Sequence, residues 1–379
     1  MNLLYLLRFI WTAGFTSVYN VLPSYLSSAF SALQISTIHS AYAIPKLVNI
    51  PSGWLADRFG KQRTLFTTFI FLSIVTLLFT LSEGILHYAL MFFLIGLIGN
   101  FFNPTISALA TIFSERKTET LFRVESMYQL GAVVGPIIGG FLMFSYGINA
   151  AFYAWFFLSL IGLGVSSVLL RKEKPPQKAD KKRLVKAPGL WKQLGDKKSG
   201  FLVFLVTGTF LTGFFESVMA LTVPLYASGL GFSLVDVGII IGIGAAISTL
   251  TLFLVGGRME SLKKEHSLVL TTLLVGLSFL VMMFVSSLIG IAVLTGIFIT
   301  GRAGGLNIAR SFIADNLHAD IRTTGMSLSD MVQYGARIIG PLFAGFAIDF
   351  IGIGFVFTSI FVFSILGSGL VLVYSRIGP

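Results

Sequence analysis

The sequence predicts an all-α polytopic membrane protein, with twelve transmembrane helices arranged as two pseudo-symmetric six-helix halves. Three observations predict it. Of the 379 residues, 55% are hydrophobic and 11% charged, against about 25% charged in an ordinary soluble domain. The apolar runs are long enough to cross a bilayer and too many for one soluble core. Glycine, proline and charge marks in the first half recur 201 to 205 residues later in the second, as two bundles related by an axis along the membrane normal require.

In order, the apolar runs cover 3–27, 36–56, 64–82, 88–113, 124–146, 149–170, 201–227, 234–256, 267–286, 288–313, 326–348 and 353–374. The first run is too long for the apolar core of a signal peptide and has no basic stretch before it, so it reads as the first span. Arg58, Lys61, Arg63, Arg116, Lys117, Lys263, Lys264 and Arg322 all fall in alternate loops, and the other loops hold no Lys or Arg. That asymmetry predicts both termini in the cytoplasm of a cell (plasma) membrane protein. The net charge of +11 is thereby spent on orientation, and no nucleic-acid partner is expected.

Residues 171–200 form the one long polar stretch, dense in Lys and Arg and broken by Pro175, Pro176 and Pro188. It predicts a basic cytoplasmic linker between an N-terminal bundle, 1–170, and a C-terminal bundle, 201–379. Leu184, Val185, Leu190, Trp191 and Leu194 fit either a short amphipathic helix on the inner leaflet or a solvated chain.

The repeat is carried by named positions. Gly135-Pro136, Gly140, Phe141, Gly147 and Phe152 return as Gly340-Pro341, Gly345, Phe346, Gly352 and Phe357, and Glu125 returns as Asp330. Gly53, Asp57 and Lys61 return as Gly256, Glu260 and Lys264, and Pro23 and Tyr25 as Pro224 and Tyr226.

Between the second and third runs lies Gly53-Trp-Leu-Ala-Asp57-Arg58-Phe-Gly60-Lys61-Gln-Arg63. Gly60 permits the positive φ of a sharp reversal, and the cations mark the cytoplasmic surface. Here the chain resembles the major facilitator superfamily, which carries this glycine, leucine, aspartate–arginine, glycine and paired-cation pattern at the same place; Gly53, Leu55, Asp57, Arg58, Gly60, Lys61 and Arg63 all match. The resemblance implies two six-helix halves, alternating access, and a gate at this hinge. It also implies that Asp57 faces the N-terminal end of span eleven, whose dipole favours a carboxylate.

Polar stripes mark single faces of three spans. The first span carries Arg8, Thr12, Thr16, Tyr19 and Pro23; the fourth Gly96, Asn100, Asn103, Ser107 and Thr111; the seventh Thr209, Thr212, Gly213, Glu216 and Ala220. Small and polar residues also pack helices together in membranes. The resemblance implies that spans one, four, seven and ten line the central cavity, where three of these stripes fall. Lys46, Glu216, Arg302 and Arg337 sit near the middle of their spans, where charge is costly and faces a cavity or a partner. Arg8, Tyr19, Lys46, Asn100, Asn103, Arg302 and Arg337 are therefore the expected substrate-cavity residues, and Glu216 the expected proton-coupling residue.

Span five carries Gly131-x-x-x-Gly135-Pro136-x-x-Gly139-Gly140. This resembles the core of the glycine-proline motif of antiporter branches, the drug:proton exporters among them. Where those exporters have an earlier glycine and a span-four arginine, this chain has Phe122 and Phe92.

Enzyme chemistry finds no foothold. His39, His87, His266 and His318 lack metal-ligand spacing, there is no cysteine, and no P-loop occurs. No catalytic residue and no cofactor are expected. The expectation is a secondary active transporter moving a small organic solute by proton-coupled efflux, working as a monomer in the bilayer with protons or another coupling ion. An organic-anion carrier using Lys46, Arg302 and Arg337 is the alternative reading, and a non-transporting membrane receptor on the same fold a third.

Overall fold

The structure is a computed structural model that describes residues 2–48, 55–56, 58–112, 117–171, 198–259, 263–317 and 319–377. Every regular element among them is helical. α1 (Asn2–Tyr19) and α2 (Leu22–Leu26) fill the first apolar run, and α3 (Ala32–Ala43) continues as a 3-10 turn over Ile44–Val48 in the second. α4 (Lys61–Leu78), α5 (Ile85–Ile112), α6 (Lys117–Tyr146) and α7 (Ile148–Leu170) follow. The seventh run is α8 (Lys198–Phe204), a π-helical segment over Leu205–Leu211, and α9 (Thr212–Gly229). α10 (Leu234–Met259), α11 (Lys264–Met282), α12 (Leu288–Asn316), α13 (Ala319–Phe350) and α14 (Ile353–Ile377) complete the chain.

Among the described residues, 10 spans are long and apolar enough to cross a membrane. α1–α2 and α3 with its 3-10 turn occupy the remaining two apolar runs. Three spans that apolarity alone draws as uniform α-helix depart from it: at Asn20-Val21, at the 3-10 turn Ile44–Val48 and at the π-helical segment Leu205–Leu211. Pro23 sits in the first turn of α2, where a missing N–H costs nothing. Pro45 lies in the 3-10 turn. The π-helical segment has no proline to announce it.

Side chains cap some of the helix starts. Ser31 and Gln34 form a reciprocal capping box ahead of α3, with Ser31 N donating to Gln34 Oε1 at 3.0 Å. Asp236 plays the same part for α10, accepting from Ser233 N at 2.9 Å. Gly60 has φ 97°, the positive value the hinge requires. Gly147 and Gly352, paired by the repeat, have φ 81° and 116°. Each is followed by the same bond: Ala150 N donates to Gly147 O, and Phe355 N to Gly352 O, both at 3.1 Å. The repeat is thus one of turn geometry as well as of residue type.

The chain divides into two compact units, Met1–Asp180 with Pro224–Gly242, and Lys181–Val223 with Ile243–Pro379. The first is packed by small residues and rings. Lipid offers no hydrophobic force between helices, so close backbone approach and packing must hold them. On α6, a Cβ at Gly131 would meet Thr12 and Ala13, one at Gly135 would meet Thr16, and one at Gly139 would overlap the Ser17 carbonyl. Above this seam Trp11 stacks on Phe102 at 4.2 Å, with Phe69 edge-on to both. Phe79, Phe92, Phe152 and Trp155 extend the cluster.

The second unit repeats the seam. Gly340 on α13 lies against Ser217 Oγ and the Phe214 carbonyl, the positions equivalent to those Gly135 meets on α1. Gly213 lies against the Gln333 carbonyl. Phe204 stacks on Phe312 at 3.9 Å, and Phe279 joins Phe298 and Phe357.

Candidate functional site

In the second unit the intramembrane charges converge. Glu216 follows the π-helical segment by about one turn of α9. Arg302 lies near the middle of α12 and Arg337 within α13, each more than about three turns from either helix end. Arg302 Nη1 donates to Glu216 Oε2 at 2.7 Å, and Arg337 Nη2 donates to the same oxygen. The three side chains are only 17–24% exposed. The Arg337 guanidinium also lies 5.3 Å from the Tyr334 ring centroid. One carboxylate therefore holds two cations, and the group carries one net positive charge.

Nearer the α13 start, Arg310 Nη2 donates to Asp330 Oδ1 at 2.7 Å, and Lys264 pairs with Asp315. Arg310 was not singled out by the sequence. Its one signal is a charge two helical turns beyond Arg302, at the polar end of α12.

In the first unit Lys46 is 3% exposed, and its Nζ donates to Tyr42 Oη at 2.6 Å, one turn back along the span. The ammonium also lies 4.0 Å from the Tyr42 ring centroid. Asn100 is buried, and its Nδ2 donates to the Pro45 carbonyl at 2.7 Å. That bond satisfies a main-chain acceptor at the 3-10 break, so this amide serves the break in α3. Gly96 admits the Tyr42 carbonyl beside it. Tyr19 lies 4.3 Å from His39, 5.3 Å from Tyr42 and 5.7 Å from Phe92, ring to ring.

Arg8 lies apart from that group. Its Nη1 donates to Asn103 Oδ1 at 2.6 Å, and its guanidinium lies 4.7 Å from the Tyr128 ring centroid. Thr12 and Thr16, on the same sequence stripe, are buried against α6; Thr16 Oγ1 donates to the Thr12 and Gly131 carbonyls at 2.8 and 3.1 Å. The first-span stripe thus splits into a packing seam, Thr12 and Thr16, and flanking polar residues, Arg8 and Tyr19.

The α6 glycines serve two neighbours. Gly131, Gly135 and Gly139 face α1, as above. Gly140 instead admits the Leu234 carbonyl, while Gly238 and Gly242 on α10 admit the Pro136 carbonyl and the Ile137 side chain with the Val133 carbonyl. Ser24 Oγ donates to the Pro224 carbonyl at 2.8 Å, joining the two repeat-related proline turns. Of the hinge residues, Arg58 and Arg63 are exposed and Lys61 opens α4. Gly53 and Asp57, and the 172–197 part of the expected linker, lie outside the described residues.

The family model of the Major Facilitator Superfamily matches residues 4–341. The chain belongs to that superfamily. A curated relative, the multidrug resistance protein MdtG of Klebsiella pneumoniae (strain 342), is 24% identical over 357 residues, covering 88% of this chain and 83% of that protein. Among solved structures, a POT family transporter in complex with 5-aminolevulinic acid superposes with TM-score 0.80 at 15% identity, covering 99% of this chain and 96% of that one. The nucleoside transporter NupG gives TM-score 0.79 at 14% identity, covering 98% of each chain. At these identities the solved structures carry the fold alone. As a superfamily member the chain is a multi-pass membrane transporter.

Proposed function

We propose that this protein exports a small organic compound in exchange for protons, by alternating access of its two bundles, 1–170 and 201–379. The observation that carries the reading is the sharing of Glu216 Oε2 by Arg302 and Arg337 within the membrane span. A carboxylate there can be neutralised by one proton, and neutralisation removes the charge that holds two helices, α12 and α13, to α9. Proton uptake and helix movement are then one event. The glycine-proline run of α6 and the multidrug resistance name of the MdtG relative favour export over uptake.

The same reading puts the protein in the cell membrane as a monomer, with both termini cytoplasmic and the Asp57 hinge as the cytoplasmic gate. Arg8, Tyr19, Lys46, Asn100, Asn103, Arg302 and Arg337 would line or support the solute path. Purified protein in proteoliposomes tests it. An imposed pH gradient is expected to concentrate an organic solute, and Glu216→Gln to abolish that accumulation while solute exchange persists.

A further inference from the structure

An arginine in a bilayer span needs a counter-charge or an aqueous cavity. Arg302 and Arg337 have Glu216, and Arg310 has Asp330. Arg8 has none: among the described residues no carboxylate pairs with it. It lies about 9 Å along α1 from Asn2 by helical rise, and neutral groups hold it. Nη1 is bonded to the amide oxygen of Asn103, and the rings of Tyr128 and Phe102 lie at 4.7 and 6.0 Å from its guanidinium carbon.

Those groups fix the plane of the guanidinium and leave one edge uncommitted. Nε is buried with no hydrogen-bond partner, and Nη1 is the one guanidinium nitrogen bonded among the described residues. The Nε–Nη2 edge is a fork that matches the two oxygens of a carboxylate or phosphonate. Burying that donor unmet is costly, and an oxyanion supplies both the missing acceptor and the missing charge.

We propose that Arg8, held by Asn103 and Tyr128, is the specificity-determining residue for an acidic group on the exported solute: a carboxylate or phosphonate taken in a forked bond on the Nε–Nη2 edge. This rests on the export reading and narrows it to organic anions. It differs from an anion site built on Arg302 and Arg337, because both of those guanidinium groups already bond to Glu216.

The test uses the full chain in phosphatidylcholine proteoliposomes, with paired probes of similar skeleton: fluorescein against rhodamine 123, and salicylate against salicylamide. Wild-type protein is expected to move the acid of each pair faster under an imposed pH gradient. Arg8→Gln is expected to lower the ratio of acid flux to the flux of its non-acidic counterpart roughly tenfold or more, the scale of one charged hydrogen bond. Asn103→Asp, which places a carboxylate beside the guanidinium without changing side-chain size, is expected to lose acid preference with no loss of thermal stability. That variant separates recognition from folding if Arg8→Gln is poorly behaved. Equal or reversed preference in the wild type, or unchanged preference in both variants, overturns the assignment and leaves export standing. Dependence of Arg8 on added phosphatidylglycerol, with solute preference untouched, also overturns it, because the counter-ion is then a lipid phosphate. No gradient-driven movement of any of the four probes contradicts the export reading itself.

Discussion

Glu216 Oε2 accepts from Arg302 Nη1 at 2.7 Å across 86 residues of chain, and Arg337 shares that oxygen. The carboxylate is therefore the common anchor of three helices. Glu216→Gln keeps the shape and removes the charge. Breaking one side of a buried ion pair costs about 3–5 kcal/mol, and the partial exposure of this group places the expected loss at or below the lower end. The variant is expected to fold with a lowered thermal midpoint in detergent. Replacing both arginines as well, by Arg302→Gln and Arg337→Gln, is expected to recover part of the loss, which a melting series on wild type, the single variant and the triple variant measures.

The α6 seam makes a steric prediction. A Cβ at Gly139 overlaps the Ser17 carbonyl, which is backbone and cannot swing aside. Gly139→Ala is expected to cost about 1–3 kcal/mol by overpacking, whereas Gly164→Ala, with open space around it, is expected to be neutral or stabilising. Thermal midpoints of the two variants check the contrast.

Gly238 faces the Pro136 carbonyl and Gly140 the Leu234 carbonyl. The sequence has no cysteine, so a single Leu234→Cys reports this contact without background. Gly238→Val is expected to speed thiol labelling there several-fold, as α10 is pushed off α6. Labelling at the original rate would show that the contact does not protect this position.

Gly147 and Gly352 have positive φ with open space about them, so substitution there meets backbone strain alone. Alanine at either is expected to cost about 1–3 kcal/mol. For Gly147, whose ψ of 172° lies outside the left-handed helical region, asparagine is expected to give no rescue.

Much of this was legible in the sequence. Apolar runs located the spans because lipid imposes length and polarity on every crossing segment. The turn at Gly60 was legible because φ above zero excludes most other residues, whereas Gly147 and Gly352 stood in the sequence only as marks of the repeat. The positions of Lys46, Glu216, Arg302 and Arg337 stood out as well, since charge in an apolar run is costly and calls for a cavity or a partner. Whether Glu216 meets Arg302, Arg337 or both was not legible, because that depends on the rotation of α9, α12 and α13 about their axes. The stripe on the first span misled for the same reason. Thr12 and Thr16 share a face with Arg8, yet their hydroxyls serve main-chain carbonyls, and Thr12 Cβ and Thr16 Oγ1 lie against Gly131 and Gly135. The breaks at Ile44–Val48 and Leu205–Leu211 leave hydropathy unchanged, so apolar periodicity passes through them. Pro45 was the one available warning.

The central claim is that one carboxylate couples protons to solute. Proteoliposomes loaded with the pH dye pyranine, holding wild-type or Glu216→Gln protein, measure it directly. When fluorescein or rhodamine 123 is added under an imposed pH gradient, wild-type protein is expected to move protons and dye in opposite directions and to stop when nigericin collapses the gradient. The Glu216→Gln protein is expected to exchange dye across the membrane without moving protons. Glu216→Gln protein that still concentrates dye against its gradient, with proton movement at the wild-type rate, would contradict the account.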